Sequence, residues 1–354
     1  MVEWREDILG EGFECAELDL GSDAEGALVA TLVRSLPQRR GFFAQMFHGK
    51  RLLEDVDVLY VHGWSDYFFQ RELARFWTSR GARFFALDLR KYGRSLREGQ
   101  TPGYIDHIED YHDEIDLALD EIAHSAQTAR SGGTEPRRLV LFGHSTGGLV
   151  LSLWAADNPG RADALILNSP WLEFQLSGTM RHIVAPIVNL GARINPREVA
   201  PQLDYGFYTR AQREVGPQDA FVDINAVWRP EKAHAVVNGW MRAILAGHER
   251  VSRGLHIEAP IEVLLSSRYA LPLKWSEDLT RADTVLEVEE IAKAALKLGS
   301  SVTVERVDGA LHDVFLSGES ARADAYRRLE RWVVGWRAAT SQRSGLERAT
   351  GPTG

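Results

Sequence analysis

One stretch constrains this chain more than any other. The apolar run Leu139, Val140, Leu141 and Phe142 leads into Gly143-His144-Ser145-Thr146-Gly147-Gly148, and residues 149–156 then repeat at helical spacing. Four apolar residues bounded by Arg138 and a glycine predict a short buried strand. Gly-x-Ser-x-Gly between a strand and a helix is the setting of a nucleophile elbow. In so tight a turn a Cβ at position 143 or 147 would collide with backbone, so glycine is needed at both. Ser145 is then expected in a strained backbone conformation with its hydroxyl exposed above the sheet edge.

The rest of the sequence alternates around this unit. Residues 13–20 and 27–33 alternate apolar and polar and predict an antiparallel pair at a sheet edge, joined through a turn-rich spacer. A basic, aromatic loop with Arg39, Arg40, Phe42 and Phe43 follows. Strands are expected at 57–61, 82–88, 139–142, 164–168, 261–266 and 301–307, with helices at 67–80, 111–123, 287–298 and 321–336. A hydrophilic loop carrying Gly132 and Gly133 precedes the elbow strand. Strands alternating with helices predict βαβ units, a largely parallel sheet and an α/β fold class. Between 170 and 258 the alternation stops. That span holds Pro186, Pro196, Pro201, Pro217 and Pro230 among helical stretches such as Met180 to Val184 and Val236 to Met241. It reads as a helical cap over the C-terminal sheet edge, where open α/β sheets bind ligands. The expected division is a core over 1–169, a cap over 170–258, the rest of the core over 259–339 and a disordered polar tail over 340–354.

Composition narrows the function classes. At 44% hydrophobic and 26% charged residues the chain is of ordinary globular composition. A net charge of −9 argues against a nucleic-acid partner, which would require clustered basic residues. No apolar run is long enough to span a bilayer, the charged segment Met1 to Asp7 is no secretory signal, and Cys15 is the single cysteine. A cytoplasmic location is therefore expected. The stretch 180–190 is interrupted by Pro186 and poor in basic residues, so cap packing is expected there and not a membrane anchor. No dinucleotide fingerprint or phosphate loop appears, His107 and His112 fit no metal-ligand spacing, and no cofactor or metal is expected. His144 reads as a structural residue of the elbow.

A serine hydroxyl needs a base to take its proton as it attacks. With an elbow serine the partners follow in the order acid, then histidine. His312 lies on the loop just beyond the 301–307 strand, on the edge where Ser145 should stand, and is the expected general base. The acid should follow the 261–266 strand, where Glu277, Asp278 and Asp283 are the candidates. Spacing alone does not choose between them, and the position expected in an elbow fold favours Asp283. Negative charge developing on a carbonyl oxygen would be held by the amide of Thr146 and by that of Trp64 in His62-Gly63-Trp64.

These motifs, with Asp88 to Ser95, Ala282 to Val285 and Gly309 to Asp313, resemble the α/β-hydrolase superfamily over residues 13–337. More narrowly they are similar to the monoacylglycerol lipase and lysophospholipase branch, grouped with the serine aminopeptidase-like hydrolases. The resemblance implies a Ser145–Asp283–His312 triad, oxyanion donors at Trp64 and Thr146, and hydrolysis of a single-chain carboxylic ester as small-molecule substrate. Two departures stand out. The loop 267–281 is longer than usual in that branch, and Thr146 occupies a position where methionine is usual. Two rival expectations accompany this one. An aminopeptidase or amidase on the same scaffold would need cap acids such as Glu173, Asp219 or Asp223 to hold an ammonium. A silent binding protein would show a damaged triad.

Overall fold

The computed structural model describes residues 2–38, 50–128, 137–174, 191–200 and 204–349. Several stretches singled out above lie outside these residues: Arg39, Arg40, Phe42 and Phe43, Gly132 and Gly133, residues 175–190 with Pro186, and Pro201. Among the described residues the strands are β1 (Arg5–Glu6), β2 (Glu14–Asp23), β3 (Gly26–Ser35), β4 (Val56–Val61), β5 (Arg83–Asp88), β6 (Arg138–His144), β7 (Ala164–Asn168), β8 (Ile261–Ser266) and β9 (Val302–Val307). The α-helices are α1 (Arg71–Ser79), α2 (His112–Thr128), α3 (Thr146–Asp157), α4 (Phe207–Val215), α5 (Asn238–Arg253), α6 (Val288–Ala295) and α7 (Glu319–Ala349).

The strands form one nine-stranded sheet in the order β1-β2-β3-β5-β4-β6-β7-β8-β9. The first three run antiparallel, β3 pairs antiparallel with β5, and every pairing from β5 through β9 is parallel. The register aligns apolar residues across the centre, with Leu59 opposite Leu141, Leu141 opposite Leu165 and Leu165 opposite Ile261. Because side chains alternate along a strand, each central strand feeds two cores. Leu59, Phe85, Leu141, Leu165 and Val263 face α2, α3, α5 and α6, while Val58, Phe84, Val140, Ile166 and Leu264 face α1 and α7. Apolar burial on both sides explains why these strands are mostly hydrophobic at consecutive positions.

The expected spacer at Gly21 to Asp23 is instead the end of β2, which regains pairing after a register irregularity between Asp19 and Ser22. The helix expected from 67 begins at Arg71. Its first residues are held in another conformation, because the Tyr67 amide donates to Asp66 Oδ1 and the Phe68 amide to Asp88 Oδ1. In the other direction, α7 continues past residue 339 to Ala349. Helix α5 lies within the span expected as a cap, yet its Trp240, Ala243, Ile244 and Val251 share the core with the sheet. Gly247 permits that approach, since a Cβ there would stand 3.1 Å from Leu153 Cδ1 of α3. The single cysteine, Cys15, is buried.

The stretch from Asp88 to Ser95 is part of the scaffold. Arg94 bridges two buried carboxylates, with Nη1 2.7 Å from Asp88 Oδ2 and Nε 2.6 Å from Asp7 Oδ2. This ties the N-terminal segment to the end of β5. Parallel strands then deliver the C-terminal ends of β4, β6, β8 and β9 to the same edge, so residues far apart in sequence share one rim.

Candidate active site

The elbow follows from close backbone packing. Ser145 has φ 51° and ψ −117° between β6 and α3. That left-handed conformation is costly for a non-glycine residue and persists only where surroundings over-determine it. A Cβ on Gly147 would stand 2.3 Å from the Val61 carbonyl oxygen, and one on Gly143 would stand 2.6 Å from Gly148 Cα. Both glycines have ordinary φ, so here glycine is required by the approach of chain to chain and not by handedness.

Three side chains from separate elements converge. The Ser145 hydroxyl lies 3.0 Å from His312 Nε2, and His312 Nδ1 lies 2.9 Å from Asp283 Oδ2. With Nδ1–H donating to the carboxylate, Nε2 is left as the acceptor facing the serine. Asp283 is fully buried, and its Oδ1 accepts the amides of Val285 at 2.7 Å and Leu286 at 2.8 Å. These bonds fix the carboxylate's orientation. The 267–281 loop returns beside it, for Asp283 donates its amide to the Arg268 carbonyl and accepts the Ala270 amide. Asp278 is elsewhere: it is exposed and forms an ion pair with Arg268. Of the acids weighed from sequence, only Asp283 reaches His312.

The loop after β4 lies against the serine. A Cβ on Gly63 would stand 3.0 Å from Ser145 Cβ, so glycine is what lets this loop approach. His62 braces it, with Nδ1 2.7 Å from the Gly63 carbonyl oxygen and Nε2 accepting the Leu89 amide at 3.1 Å. Trp64 is locked by its Nε1 donating to the His234 carbonyl and by a ring contact of 3.9 Å between centroids with Trp240. Thr146 is the first residue of α3, where helix amides point outward unpaired and favour negative charge.

Behind this front runs a buried lattice that sequence reasoning missed. The Asn168 carbonyl, at the end of β7, accepts the Ser145 amide at 3.0 Å and faces His144 Nδ1 at 3.1 Å. Its side-chain amide donates to Asp313 Oδ1 at 2.7 Å, and its Oδ1 accepts the Val314 amide at 3.2 Å. Gln70 donates to the other Asp313 oxygen at 2.7 Å. Asn168 thus spans the elbow and the His312 loop. An asparagine closing a hydrophobic strand was the available signal. Burial pushes the His144 imidazole below its ordinary pKa, with the nearby Asp313 carboxylate partly opposing it.

Over the serine lies a cavity of about 310 Å³ whose walls include Trp64, Asp66, Ser145, Tyr208, Arg229 and His312. Of the aromatic residues in the 170–258 span, Tyr205, Phe207 and Tyr208 face this cavity. Trp240 and Trp171 lie against each other beside the main core, and Trp228 lies against Tyr67. Glu173, Asp219 and Asp223 are not among its described walls, and Asp223 pairs with Arg71 at 3.0 Å. The acids that do reach the wall are Asp66 and Asp204. Chemically, the arrangement can take a proton from the Ser145 hydroxyl and hold the resulting imidazolium against a buried carboxylate.

Comparison with known proteins bears on the fold and the family. No curated protein matches the sequence. Among solved structures, the monoglyceride lipase of Saccharomyces cerevisiae, a soluble variant bound to a substrate analogue, superposes with a TM-score of 0.61 at 15% identity, covering 90% of this chain and 96% of that one. The monoacylglycerol lipase of Paleococcus ferrophilus gives 0.57 at 18% identity, with 79% and 94% covered. A thermophilic esterase from Thermogutta terrifontis gives 0.53 at 15% identity, with 91% and 99% covered. At such identities the likeness establishes a shared α/β-hydrolase fold. Among the described residues no helix is long and apolar enough to cross a membrane. The family model described as serine aminopeptidase, S33, matches residues 55–268, from β4 through the elbow to just past β8, and the chain belongs to that family of hydrolases.

Proposed function

We propose that this protein hydrolyses a carboxylic ester through an acyl-enzyme on Ser145, with His312 as general base and acid and Asp283 as its orienting carboxylate. The observation that carries the reading is the unbroken chain from Ser145 Oγ through the His312 imidazole to Asp283, at 3.0 and 2.9 Å, beneath a walled cavity. In the first step Ser145 Oγ bonds to the acyl carbon as its proton passes to His312 Nε2. The amides of Trp64 and Thr146 receive the oxyanion, which is where such sites gain most of their rate. The carbon–oxygen bond to the alcohol then breaks, and the same proton leaves with the alcohol. Water, deprotonated by His312, attacks the acyl group, and the acid departs as Ser145 regains its proton.

Two neighbours in structure are lipases acting on monoacylglycerols by name, and this supports an acyl ester as the substrate class. Amide cleavage by a free N-terminal residue is less well served. The two wall carboxylates are already held, Asp66 by Arg229 at 2.8 Å and Asp204 by the amides of Gly206 and Ala233, both at 2.7 Å. We further propose that part of 170–258 acts as the cap of this cavity, since Tyr205, Phe207, Tyr208 and Arg229 supply its wall. The single buried Cys15 suits a reducing, cytoplasmic setting.

The test is hydrolysis of p-nitrophenyl esters from acetyl to palmitoyl by wild type and Ser145→Ala. Turnover lost in the variant, with unchanged circular dichroism, is expected. Turnover retained by Ser145→Ala would overturn the reading. Silence on all esters with cleavage of alanine p-nitroanilide would replace it with the aminopeptidase.

A further inference from the structure

We propose that Arg229 and Asp66 form a recognition subsite for a neutral polar group of the substrate, one that donates and accepts a hydrogen bond, as a hydroxyl or an amide does. The inference rests on the functional reading above for the identity of the reaction, but not for the existence of the subsite. Both side chains line the Ser145 cavity, and both residues are more than nine-tenths buried. Arg229 Nε donates to Asp66 Oδ1 at 2.8 Å, and Arg229 Nη2 donates to Gln212 Oε1 at 2.5 Å. Gln212 in turn donates to the Tyr208 hydroxyl at 2.6 Å, and the Tyr208 ring stands edge-on to His312 with centroids 5.6 Å apart. The pair is therefore anchored on one side and joined to the site on the other.

What remains open is one edge of each group. Among the described residues Arg229 Nη1 has no acceptor and Asp66 Oδ2 has no donor, the other carboxylate oxygen taking the Arg229 and Tyr67 contacts. Both residues line the cavity, which puts these edges within reach of a bound group. A guanidinium edge wants an acceptor and a carboxylate edge wants a donor, and leaving either dry and unpaired is costly. Part of the wall is apolar, with Phe207, Pro230, Pro272 and Val285, and none of its polar side chains, such as Ser65, Thr209 and Thr284, is bonded to either edge among the described residues.

Charge decides the ligand class. A carboxylate reaching Arg229 would lie beside Asp66, with Asp204 also on the wall, and an ammonium reaching Asp66 would lie beside Arg229. A neutral hydroxyl or amide meets neither repulsion and satisfies both edges. The same polar wall disfavours an unbroken hydrocarbon chain running past it. Specificity from such a site comes from rejecting analogues that leave its buried polar atoms unpaired.

The experiment compares isosteric pairs: p-nitrophenyl 3-hydroxybutyrate with 3-methylbutyrate, 2-hydroxyethyl with n-propyl butyrate, and p-nitrophenyl N-acetylglycinate with 4-methylpentanoate. The hydroxyl and amide arms separate the two sources of the same chemistry. For wild type, kcat/KM should favour the polar member of at least one pair by about ten- to a hundredfold, the range of a hydrogen bond to a charged group. Arg229→Lys and Asp66→Asn, which keep much of the local volume, should bring that ratio to near one. Calorimetric binding of the same pairs to Ser145→Ala gives the ratio without turnover. Hydrolysis absent but a polar preference in binding would sink the esterase reading and keep the subsite. Ratios near one in both measurements, ratios unchanged in both variants, or tighter binding of a succinyl monoester than of its neutral counterparts would overturn the subsite.

Discussion

Glu262→Gln should stabilise this protein at neutral pH and change little near pH 4.5. Glu262 is the second residue of β8, next to the edge strand β9; it is fully buried, and among the described residues neither carboxyl oxygen has a hydrogen-bond partner. Burial pushes its pKa from 4.5 up to about 9, with the neighbouring Glu305 carboxylate adding to the rise. Arg328 and Arg331 oppose this weakly because both are engaged with Glu305, at 2.9 and 2.8 Å. The folded protein must therefore keep a proton that the unfolded chain would release. Stability from this group is complete below pH 4.5 and is lost as the pH climbs toward about 9. Between pH 4.5 and pH 7 the loss amounts to about 3 kcal/mol, at 1.36 kcal/mol for each pH unit. Glutamine keeps the shape and carries no proton to lose. Urea unfolding followed by tryptophan fluorescence at pH 4.5, 7 and 8.5 should show a gap between variant and wild type that widens with pH. A gap that is flat across that range, or one that shrinks, would refute the reasoning.

Further outcomes follow from the site. Asp283→Asn should lower kcat by about four orders of magnitude by removing the partner that sets the His312 tautomer, whereas Asp278→Asn should leave kcat within about twofold; steady-state kinetics on one ester decides it. Gly147→Ala should cost at least about 3 kcal/mol, because the added Cβ meets the Val61 and His62 carbonyl oxygens at 2.3 and 2.4 Å, and neither can yield without moving β4. Failure to see a lower unfolding midpoint would count against the close packing at the elbow. Asn168→Leu should leave Asp313 short of a donor and loosen the spacing of Ser145 from His312, lowering kcat by about a hundredfold while KM stays nearly constant. A change confined to thermal stability would reduce Asn168 to a structural role.

Much of this protein is readable along the chain. Local patterns carry the elbow turn and the buried strands, because each depends on neighbours within a few residues. Two glycines around Ser145 announce a turn too tight for side chains, and β7 and β8 are written as apolar runs with the same bounds that the sheet shows. What the tertiary structure decided are contacts between distant segments. Asp283 and Asp278 are equivalent by composition and spacing. They differ only because the fold turns one inward to meet His312 and leaves the other outside against Arg268. The cap acids chosen from sequence were Glu173, Asp219 and Asp223, yet the cavity receives Asp204 from that span and Asp66 from the loop after β4, since which carboxylate faces a cavity depends on how distant segments fold together. Arg229 against Asp66, separated by 163 residues, has no local signature at all. Propensity and periodicity act over a turn or a strand, while burial, pairing and charge at a site are set by whatever segments the fold brings together.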